Sequence, residues 1–218
     1  MALAPQTSKI FDAVCKLNCI KDYVLIGGTA LSLQLNTRLS EDLDFCKWKK
    51  LKSESNEIDF RTIKRELSAI GKIEHFDIIQ ENQLHILFEG VKISFYANQK
   101  LNPIIKILDY KDNLRIADVF SIGVMKLEVL ARRSAFRDYY DIYCILESGC
   151  DLKEMINQSL KYSKHQLKTK SIINMLTGIE RIKSESNFNL LSPKYDISPN
   201  ELTSYFIDKL IHIEGNRK

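Results

Sequence analysis

The chain has 218 residues, of which 44% are hydrophobic and 28% charged, the composition of a folded globular protein and not of a disordered one. Its net charge of +4 is too small to indicate a nucleic-acid partner by itself. No apolar run reaches the roughly 18 to 20 residues of a membrane span, so we expect a cytoplasmic protein with no membrane partner. The five cysteines have no CxxC spacing and are expected to be reduced.

The first part of the chain alternates helical and strand patterns. Helical spacing over residues 8–18 is followed by "YVLIGG", a short buried strand that gives way to a helix at Gly28. In "EDLDFC", Leu43 and Phe45 alternate with two aspartates. This alternation predicts a strand with one solvent-exposed face.

A polar connection, "KWKKLKSESNE", leads to an amphipathic helix that ends at Gly71. Three short β patterns follow, over residues 73–79, 83–88 and 91–96, the last two joined by a tight Glu89-Gly90 turn. Helix and strand patterns followed by a meander predict an α+β lobe whose mixed sheet is covered by helices on at least one face.

The composition changes after Pro103. The later segments "ADVFSIGVMKLEVLARR", "AFRDYYDIYCILESG", "LKEMINQSLKYS" and "PNELTSYFIDKLIHI" have helical spacing, and "IKILDY" is the last strand signal. We therefore predict two domains, an α+β domain over 1–103 and a mainly helical domain over 104–218.

Two aspartates stand one residue apart at the start of the predicted second strand. Residues two apart in a strand point to the same face, so Asp42 and Asp44 project together. Such a pair can hold Mg²⁺, which prefers a few carboxylate oxygens together with substrate phosphates. A solvent-exposed strand face without a ligand is the alternative interpretation.

Gly27, Gly28 and Thr29 stand where the first strand meets the next helix. A helix N-terminus offers unpaired amides, and glycines let a phosphate approach the backbone closely, so this turn predicts a phosphate site. Taken alone, two glycines before a helix also suit a simple tight turn. Together with the aspartates within 22 residues, they favour a site for a nucleoside triphosphate and Mg²⁺.

The stretch "GGTALSLQL..R.S.DLDF" resembles the first motif of the AbiEii/AbiGii-type nucleotidyltransferases. These are the toxins of phage-abortive type IV toxin-antitoxin systems, within the DNA polymerase beta-like superfamily. The resemblance implies a phosphate turn at Gly28 and Thr29, nucleotide- or phosphate-binding side chains at Arg38 and Ser40, and catalytic metal ligands at Asp42 and Asp44.

A second block, "MKLEVLARRSAFRDYYDIYCIL", is similar to the family's K-L-x-A-(x)-R-(x)-K-D-x-x-D segment. It implies catalytic roles for Lys126 and Asp141, phosphate contacts for Arg133 and Arg137, and an additional acid at Asp138. On one helix from near residue 118, the lysine and the first arginine would share a face, and Arg137 could pair with Asp141. An exposed helix with ion pairs is the alternative interpretation.

The sequence departs from the superfamily pattern at one metal position. Polymerase-beta-like enzymes usually place a third carboxylate on a later strand, but "VKISFY" has Ser94 there. Either Asp138 or Asp141 supplies the missing acid, or one metal is held, or activity is impaired. Arg137 also replaces the family's usual lysine, which keeps the charge but changes the geometry.

Two basic segments, 47–52 and 161–170, could contact RNA or simply be solvated. Tyr139 and Tyr140 could stack on a base. The four histidines have no metal-binding spacing, and the sequence assigns them no role.

The expected function is transfer of a nucleoside monophosphate from a nucleoside triphosphate to an acceptor hydroxyl, with Mg²⁺ or Mn²⁺. The resemblance implies a transfer RNA 3′ end as acceptor and a cognate antitoxin as partner. Nucleotide transfer onto a protein hydroxyl and a non-catalytic nucleotide- or RNA-binding module are the two alternatives. Label in protein would favour the first, and RNA binding without turnover the second.

Overall fold

The computed structural model describes residues 2–51, 53, 56–101, 106–163 and 167–215. The chain divides into two compact units, Met1–Asp118 and Val119–Lys218. None of the helices in these described ranges is both long and apolar enough to cross a membrane.

The first unit is an α+β unit built on one mixed sheet. Its elements are α1 (Pro5–Cys15), β1 (Val24–Ile26), α2 (Gly27–Leu35), β2 (Leu43–Lys49), α3 (Phe60–Ser68), β3 (Ile73–Gln80), β4 (Gln83–Phe88), β5 (Val91–Leu101), β6 (Ile107–Lys111) and β7 (Leu114–Ala117). The strand order is β3-β4-β5-β2-β1-β7-β6. Strand β2 runs antiparallel to β1 and parallel to β5, so the predicted mixed sheet is confirmed.

The core of the first unit lies on one face of β2 and β5. Phe45 and Phe95 stack with ring centroids 5.1 Å apart, and Tyr23 meets Phe95 edge to face at 5.1 Å. Helix α3 buries Ile63 and Leu67, as its amphipathic pattern predicts. The opposite face of β2 is therefore left to carry the polar positions, which include Asp44.

The turn between β4 and β5 has the predicted hairpin geometry. Glu89 and Gly90 both have positive φ, 50° and 75°, as a tight two-residue turn between twisted strands requires. The turn fixes the register that places Ser94 opposite His85.

The sheet continues beyond Pro103, so the first unit ends later than the composition change suggests. The predicted β6 is present, and β7 follows it and pairs in parallel with β1 through Leu25 and Ile116. Strand β7 has only four residues and lies directly before a long helical pattern. A strand this short has too few residues to show an alternation of its own. The boundary at residue 103 itself lies outside the described residues.

The second unit is helical. It contains α4 (Val119–Val129), α5 (Phe136–Glu147), α6 (Leu152–Tyr162), α7 (Thr169–Thr177), α8 (Pro199–Gly215) and two 3₁₀ turns, Ile179–Arg181 and Phe188–Leu191. Gly123 lets α4 pack closely, because a Cβ there would lie 2.6 Å from Met155 Cε and 3.2 Å from Ile145 Cγ2. Segment 161–170 is not one helix, since α6 ends and α7 begins within it; residues 164–166 lie outside the described ranges.

Candidate active site

The glycine turn between β1 and α2 lies against the aspartate strand. Gly27 has φ of 72°, and a Cβ there would lie 3.3 Å from Asp44 Oδ2. Both facts favour glycine, because an L side chain would be strained and would crowd the carboxylate. The pairing of Ile26 with Asp44 in the β1–β2 ladder brings the turn and the carboxylate together.

Arg38 lies over the second glycine of the turn. A Cβ on Gly28 would lie 2.4 Å from Arg38 Nη2 and 3.4 Å from Cζ, so the guanidinium packs directly on the turn. The side chain is nearly buried, with the residue 5% exposed, and Nη1 donates to the Leu39 carbonyl at 2.9 Å. A guanidinium beside the N-terminal amides of α2 can contribute to binding an anion at this turn.

Thr29 and Ser40 brace the loop that leads into β2. Their hydroxyl oxygens are 2.8 Å apart, and Thr29 Oγ1 donates to the Asp42 carbonyl. Both residues are buried. Their hydroxyl groups therefore fix where the aspartate strand begins, and a direct contact with phosphate stays a prediction.

The N-terminal segment braces the same loop, which the sequence alone did not reveal. The Ala4 amide donates to the Ser40 carbonyl at 2.9 Å, and the Ser40 amide donates to the Ala2 carbonyl at 3.0 Å. Thr7 Oγ1 donates to the Glu41 carbonyl at 2.5 Å. Nothing in the local pattern of residues 2–7 indicates this role, because backbone atoms make most of these contacts.

Asp42 and Asp44 both remain partly exposed, while Leu43 and Phe45 are buried. The two carboxylates thus project from the face opposite the apolar core. Within the described ranges, no three His, Cys, Asp or Glu side chains are grouped to hold a metal ion. The donor set therefore suits a cation that takes two carboxylates and completes its coordination with phosphate oxygens and water, as Mg²⁺ does.

Ser94 lies next to the aspartate pair, where the sequence placed it. It is the direct partner of Asp44 in the parallel β2–β5 ladder. The residue is fully buried, and its Oγ has no hydrogen-bond partner within the described structure. A buried hydroxyl without a partner is uncommon, which makes this position notable.

The second block forms an ionic cluster with buried carboxylates inside the helical unit, which we call the Lys126 cluster. It consists of Lys126, Arg133, Asp138 and Asp141. Lys126 Nζ lies 2.8 Å from Asp138 Oδ1 and 2.6 Å from Asp141 Oδ2, with both carboxylates almost completely buried. Arg133 Nε lies 2.7 Å from Asp138 Oδ2. The cluster is therefore a structural network in which each carboxylate already faces a cation.

Two predicted pairings in this block are wrong. Helix α4 ends at Val129, so Lys126 and Arg133 do not share one helix face; they meet because both contact Asp138. Arg137 does not pair with Asp141, because its Nε lies 2.8 Å from Glu185 Oε1. The sequence could not show Glu185, which is far away along the chain and unremarkable in its polar segment.

The two tyrosines beside these aspartates are core residues. Tyr139 and Tyr140 are fully buried. The Tyr139 hydroxyl donates to the Met175 carbonyl at 3.1 Å, and the Tyr140 hydroxyl accepts from the Tyr195 amide at 3.1 Å. Neither has a ring face open for stacking on a base, so that interpretation is wrong.

The first half of the basic segment 47–52 belongs to a strand. Strand β2 continues through Lys49, and Trp48 is only 7% exposed. Lys47 Nζ lies 5.2 Å from the Tyr23 ring centroid. The strand therefore extends three residues into the basic segment, although the composition there is polar; Lys52 lies outside the described residues.

Replacing Gly28 by alanine is expected to weaken nucleotide binding about tenfold, because the new Cβ displaces the Arg38 guanidinium from the turn. Calorimetric titration with a nucleoside triphosphate and Mg²⁺ measures the change. In an Arg38→Ala background the same substitution should add little. Wild-type affinity in Gly28→Ala would contradict this use of Arg38.

Acid is expected to destabilise the helical unit through Asp138. Burial alone would raise the pKa of Asp138, but the charge of Lys126 and the hydrogen bonds from Arg133 and Lys126 outweigh it and hold the pKa below its usual 3.8. A depressed carboxyl pKa contributes stability above its unfolded value and loses it as pH falls through the folded one.

Unfolding followed by circular dichroism between pH 6 and pH 2 should therefore show falling stability below about pH 3.8. In Asp138→Asn this dependence should be weaker. An identical acid profile in the variant would contradict the assignment.

Comparisons with known proteins identify the family of this chain. The family model for the nucleotidyl transferase AbiEii toxin of type IV toxin-antitoxin systems matches residues 19–203. The uncharacterized protein aq_aa25 of Aquifex aeolicus (strain VF5) is 26% identical over 156 residues, 70% of this chain and 72% of the relative.

Two solved Helicobacter pylori structures share the fold. One, a candidate nucleotidyltransferase, has a TM-score of 0.59 at 19% identity and covers 99% of this chain and 100% of its own. The other, JHP933, has a TM-score of 0.54 at 21% identity, and the match covers 98% of this chain and 96% of JHP933. The family match over residues 19–203 shows that this chain belongs to the AbiEii family of type IV nucleotidyltransferase toxins.

Proposed function

We propose that the protein transfers a nucleoside monophosphate from a nucleoside triphosphate to a hydroxyl at the 3′ end of a transfer RNA. One observation carries the proposal: the Asp44 carboxylate lies against the glycine turn on which Arg38 packs. A carboxylate for a cation and a positive cradle for phosphates thus come from a single strand-helix-strand unit.

The residues present fit a divalent cation. Asp42 and Asp44 offer partly exposed carboxylates on one face, and the neighbouring turn accommodates the phosphates that complete the coordination of Mg²⁺ or Mn²⁺. When bound, such an ion stabilises negative charge on the reacting phosphate and its leaving group.

In this reaction, residues of the first unit bind the triphosphate and position the two aspartates. The amides at the start of α2 and the Arg38 guanidinium bind and orient the triphosphate. Thr29 and Ser40 fix the start of β2, so that both aspartates keep their place beside the turn. The acceptor hydroxyl loses its proton to water, its oxygen forms a bond to the α-phosphorus, the bond from that phosphorus to the bridging oxygen breaks, and pyrophosphate leaves.

In this proposal the Lys126 cluster stabilises the fold of the helical unit and does not contact the substrate. Its two carboxylates are neutralised by Lys126 at 2.6 and 2.8 Å, so they are poor candidates for the third metal ligand. The site then works with the aspartate pair, and Ser94 replaces the third acid of related enzymes.

The most specific part of the proposal is that the acceptor is RNA. Membership of a type IV toxin family implies a cognate antitoxin and a nucleotide substrate. A transfer RNA 3′ end is an acceptor whose modification would stop aminoacylation and translation, which fits a toxin. A role in phage defence belongs to the same proposal.

The test is incubation of the full chain with Mg²⁺, total transfer RNA and each α-labelled nucleoside triphosphate in turn. Nuclease and protease digestion of the products then show which polymer carries label. Nuclease-sensitive label supports the proposal and names the nucleotide. Protease-sensitive label would overturn the RNA acceptor in favour of protein modification, and no label with any nucleotide would overturn catalysis under these conditions.

A further inference from the structure

Three side chains form a row across the sheet beside the aspartate pair. Asp44 on β2 is opposite Ser94 on β5, and Ser94 is opposite His85 on β4. Directly opposed residues project from the same face. Two strand spacings of roughly 4.8 Å separate the backbones of Asp44 and His85, so one sugar-sized group can reach both side chains. We call these three residues the cross-strand row.

His85 is held as a neutral hydrogen-bond donor. The Gln83 amide nitrogen lies 2.9 Å from His85 Nε2, and the Tyr96 hydroxyl lies 3.4 Å from the same atom. With the Gln83 amide nitrogen as the donor, Nε2 accepts and Nδ1 carries the hydrogen; this tautomer follows from that amide orientation. Among the described residues, Nδ1 has no hydrogen-bond partner.

The surroundings keep the ring uncharged near neutral pH. Burial and the positive charge of Lys92 lower the pKa of His85 from its usual 6.5, and they outweigh the opposing charges of Asp44 and Asp77. The ring is half-buried, which leaves part of it accessible.

The two neutral members of the row, Ser94 and His85, are suited to an organic hydroxyl. In the described part of the chain, His85 forms no three-residue metal group with the aspartates. Between Asp44 and His85, the fully buried Ser94 hydroxyl lacks a partner. Two neutral polar groups, each with unused hydrogen-bonding capacity, therefore lie in one row with the carboxylate of the proposed reaction site.

We propose that the cross-strand row binds the terminal ribose of the RNA acceptor, with His85 Nδ1 donating to the hydroxyl adjacent to the attacking one. This inference rests on the proposed nucleotidyl transfer. A ribose end has two neighbouring hydroxyls, so one can react beside Asp44 while the other is held. A deoxyribose end or a protein hydroxyl offers no second hydroxyl to hold.

The test measures binding as well as turnover. A short fluorescent RNA with a transfer RNA-like single-stranded 3′ end is compared with the same RNA ending in a 2′-deoxynucleotide. Its dissociation constant is measured by anisotropy without nucleotide for the full-length wild type and three variants. His85→Phe keeps the ring volume without donors, His85→Asn keeps a donor, and His75→Phe is a control on exposed β3.

The wild type should bind the ribose end about five- to tenfold more tightly than the deoxy end. His85→Phe should lose this preference, His85→Asn should keep part of it, and His75→Phe should keep all of it. In the transfer assay, His85→Phe should raise the KM for RNA by a similar factor and leave the KM for nucleotide unchanged.

An unchanged ribose preference in His85→Phe would overturn the inference, even if transfer to RNA occurs. A ribose preference that depends on His85 would support the inference, even if no transfer is detected and the proposed function fails. The absence of both RNA binding and RNA labelling would overturn both.

Discussion

Replacing Asp44 by asparagine is expected to lower the rate of nucleotide transfer about 10³-fold, with the fold retained. Loss of one of two carboxylates removes several kcal/mol of charge stabilisation on the reacting phosphate. Asp44 is partly exposed and lies against Gly27, so an isosteric amide leaves packing unchanged. Initial rates with labelled nucleotide and thermal unfolding of the same preparations measure both effects.

Asp22→Asn provides the matched control for this substitution. Asp22 is exposed and precedes β1, so this variant has the same loss of charge away from the turn. Its transfer rate should equal that of the wild type. A rate in Asp44→Asn within a few-fold of the control would show that the aspartate pair does not organise the reaction.

Replacing Lys126 by methionine should destabilise the chain by about 3–5 kcal/mol, because two buried carboxylates lose the ammonium group between them. With an m-value of roughly 2 kcal/mol/M, the urea midpoint of the affected transition should fall by roughly 2 M. Circular dichroism at neutral pH follows this transition, and hydrogen exchange of peptides from α4 and α5 locates it in the helical unit.

A nearby ion pair whose cation is exposed gives the control. Arg132 Nη2 lies 2.9 Å from Glu128 Oε1, with the arginine side chain 73% exposed and the glutamate side chain 12% exposed. Arg132→Gln should destabilise the chain much less than Lys126→Met, because the arginine is mostly in solvent, where an ion pair contributes little. Equal destabilisation by the two variants would mean that burial of the Lys126 cluster has no energetic consequence.

The catalytic half of the site could be predicted from sequence because its signals are local. The change from strand to helix at Gly27 and the alternation from Leu43 to Phe45 lie within one short unit, and each has its own periodicity. The structure adds what periodicity cannot provide: Arg38 packs on Gly28, and the N-terminal segment holds Ser40. Both depend on contacts that form only when the chain folds.

The second block was harder to predict because helical spacing carries no information about where a helix stops. The pattern through Arg133 continues past Val129, but the chain leaves the helix and turns before Phe136. Ion pairs therefore form across the turn and to a distant segment, as Arg137 does with Glu185. The side chains predicted to contact substrate form ion pairs with one another or with Glu185, and their predicted roles toward substrate stay predictions.

Strand length was also underestimated where charge and burial compete. In "KWKK" the lysines suggest a loop, but Trp48 is buried and is paired with Asn98 in the β2–β5 ladder. The register of β5 with β4 and β2, and hence the neighbourhood of His85 and Asp44, follows from pairing between strands. No single-strand pattern shows which residues will be opposite one another.

The most direct test of the central claim compares label on two phosphates of the same nucleotide. The wild-type protein is incubated with Mg²⁺ and transfer RNA, and with either α-labelled or γ-labelled nucleoside triphosphate in parallel. Nucleotidyl transfer predicts that α-label enters the acceptor and γ-label is recovered as pyrophosphate in equal amount. Recovery of γ-label in the acceptor, or of neither label in acceptor or pyrophosphate, would contradict the account.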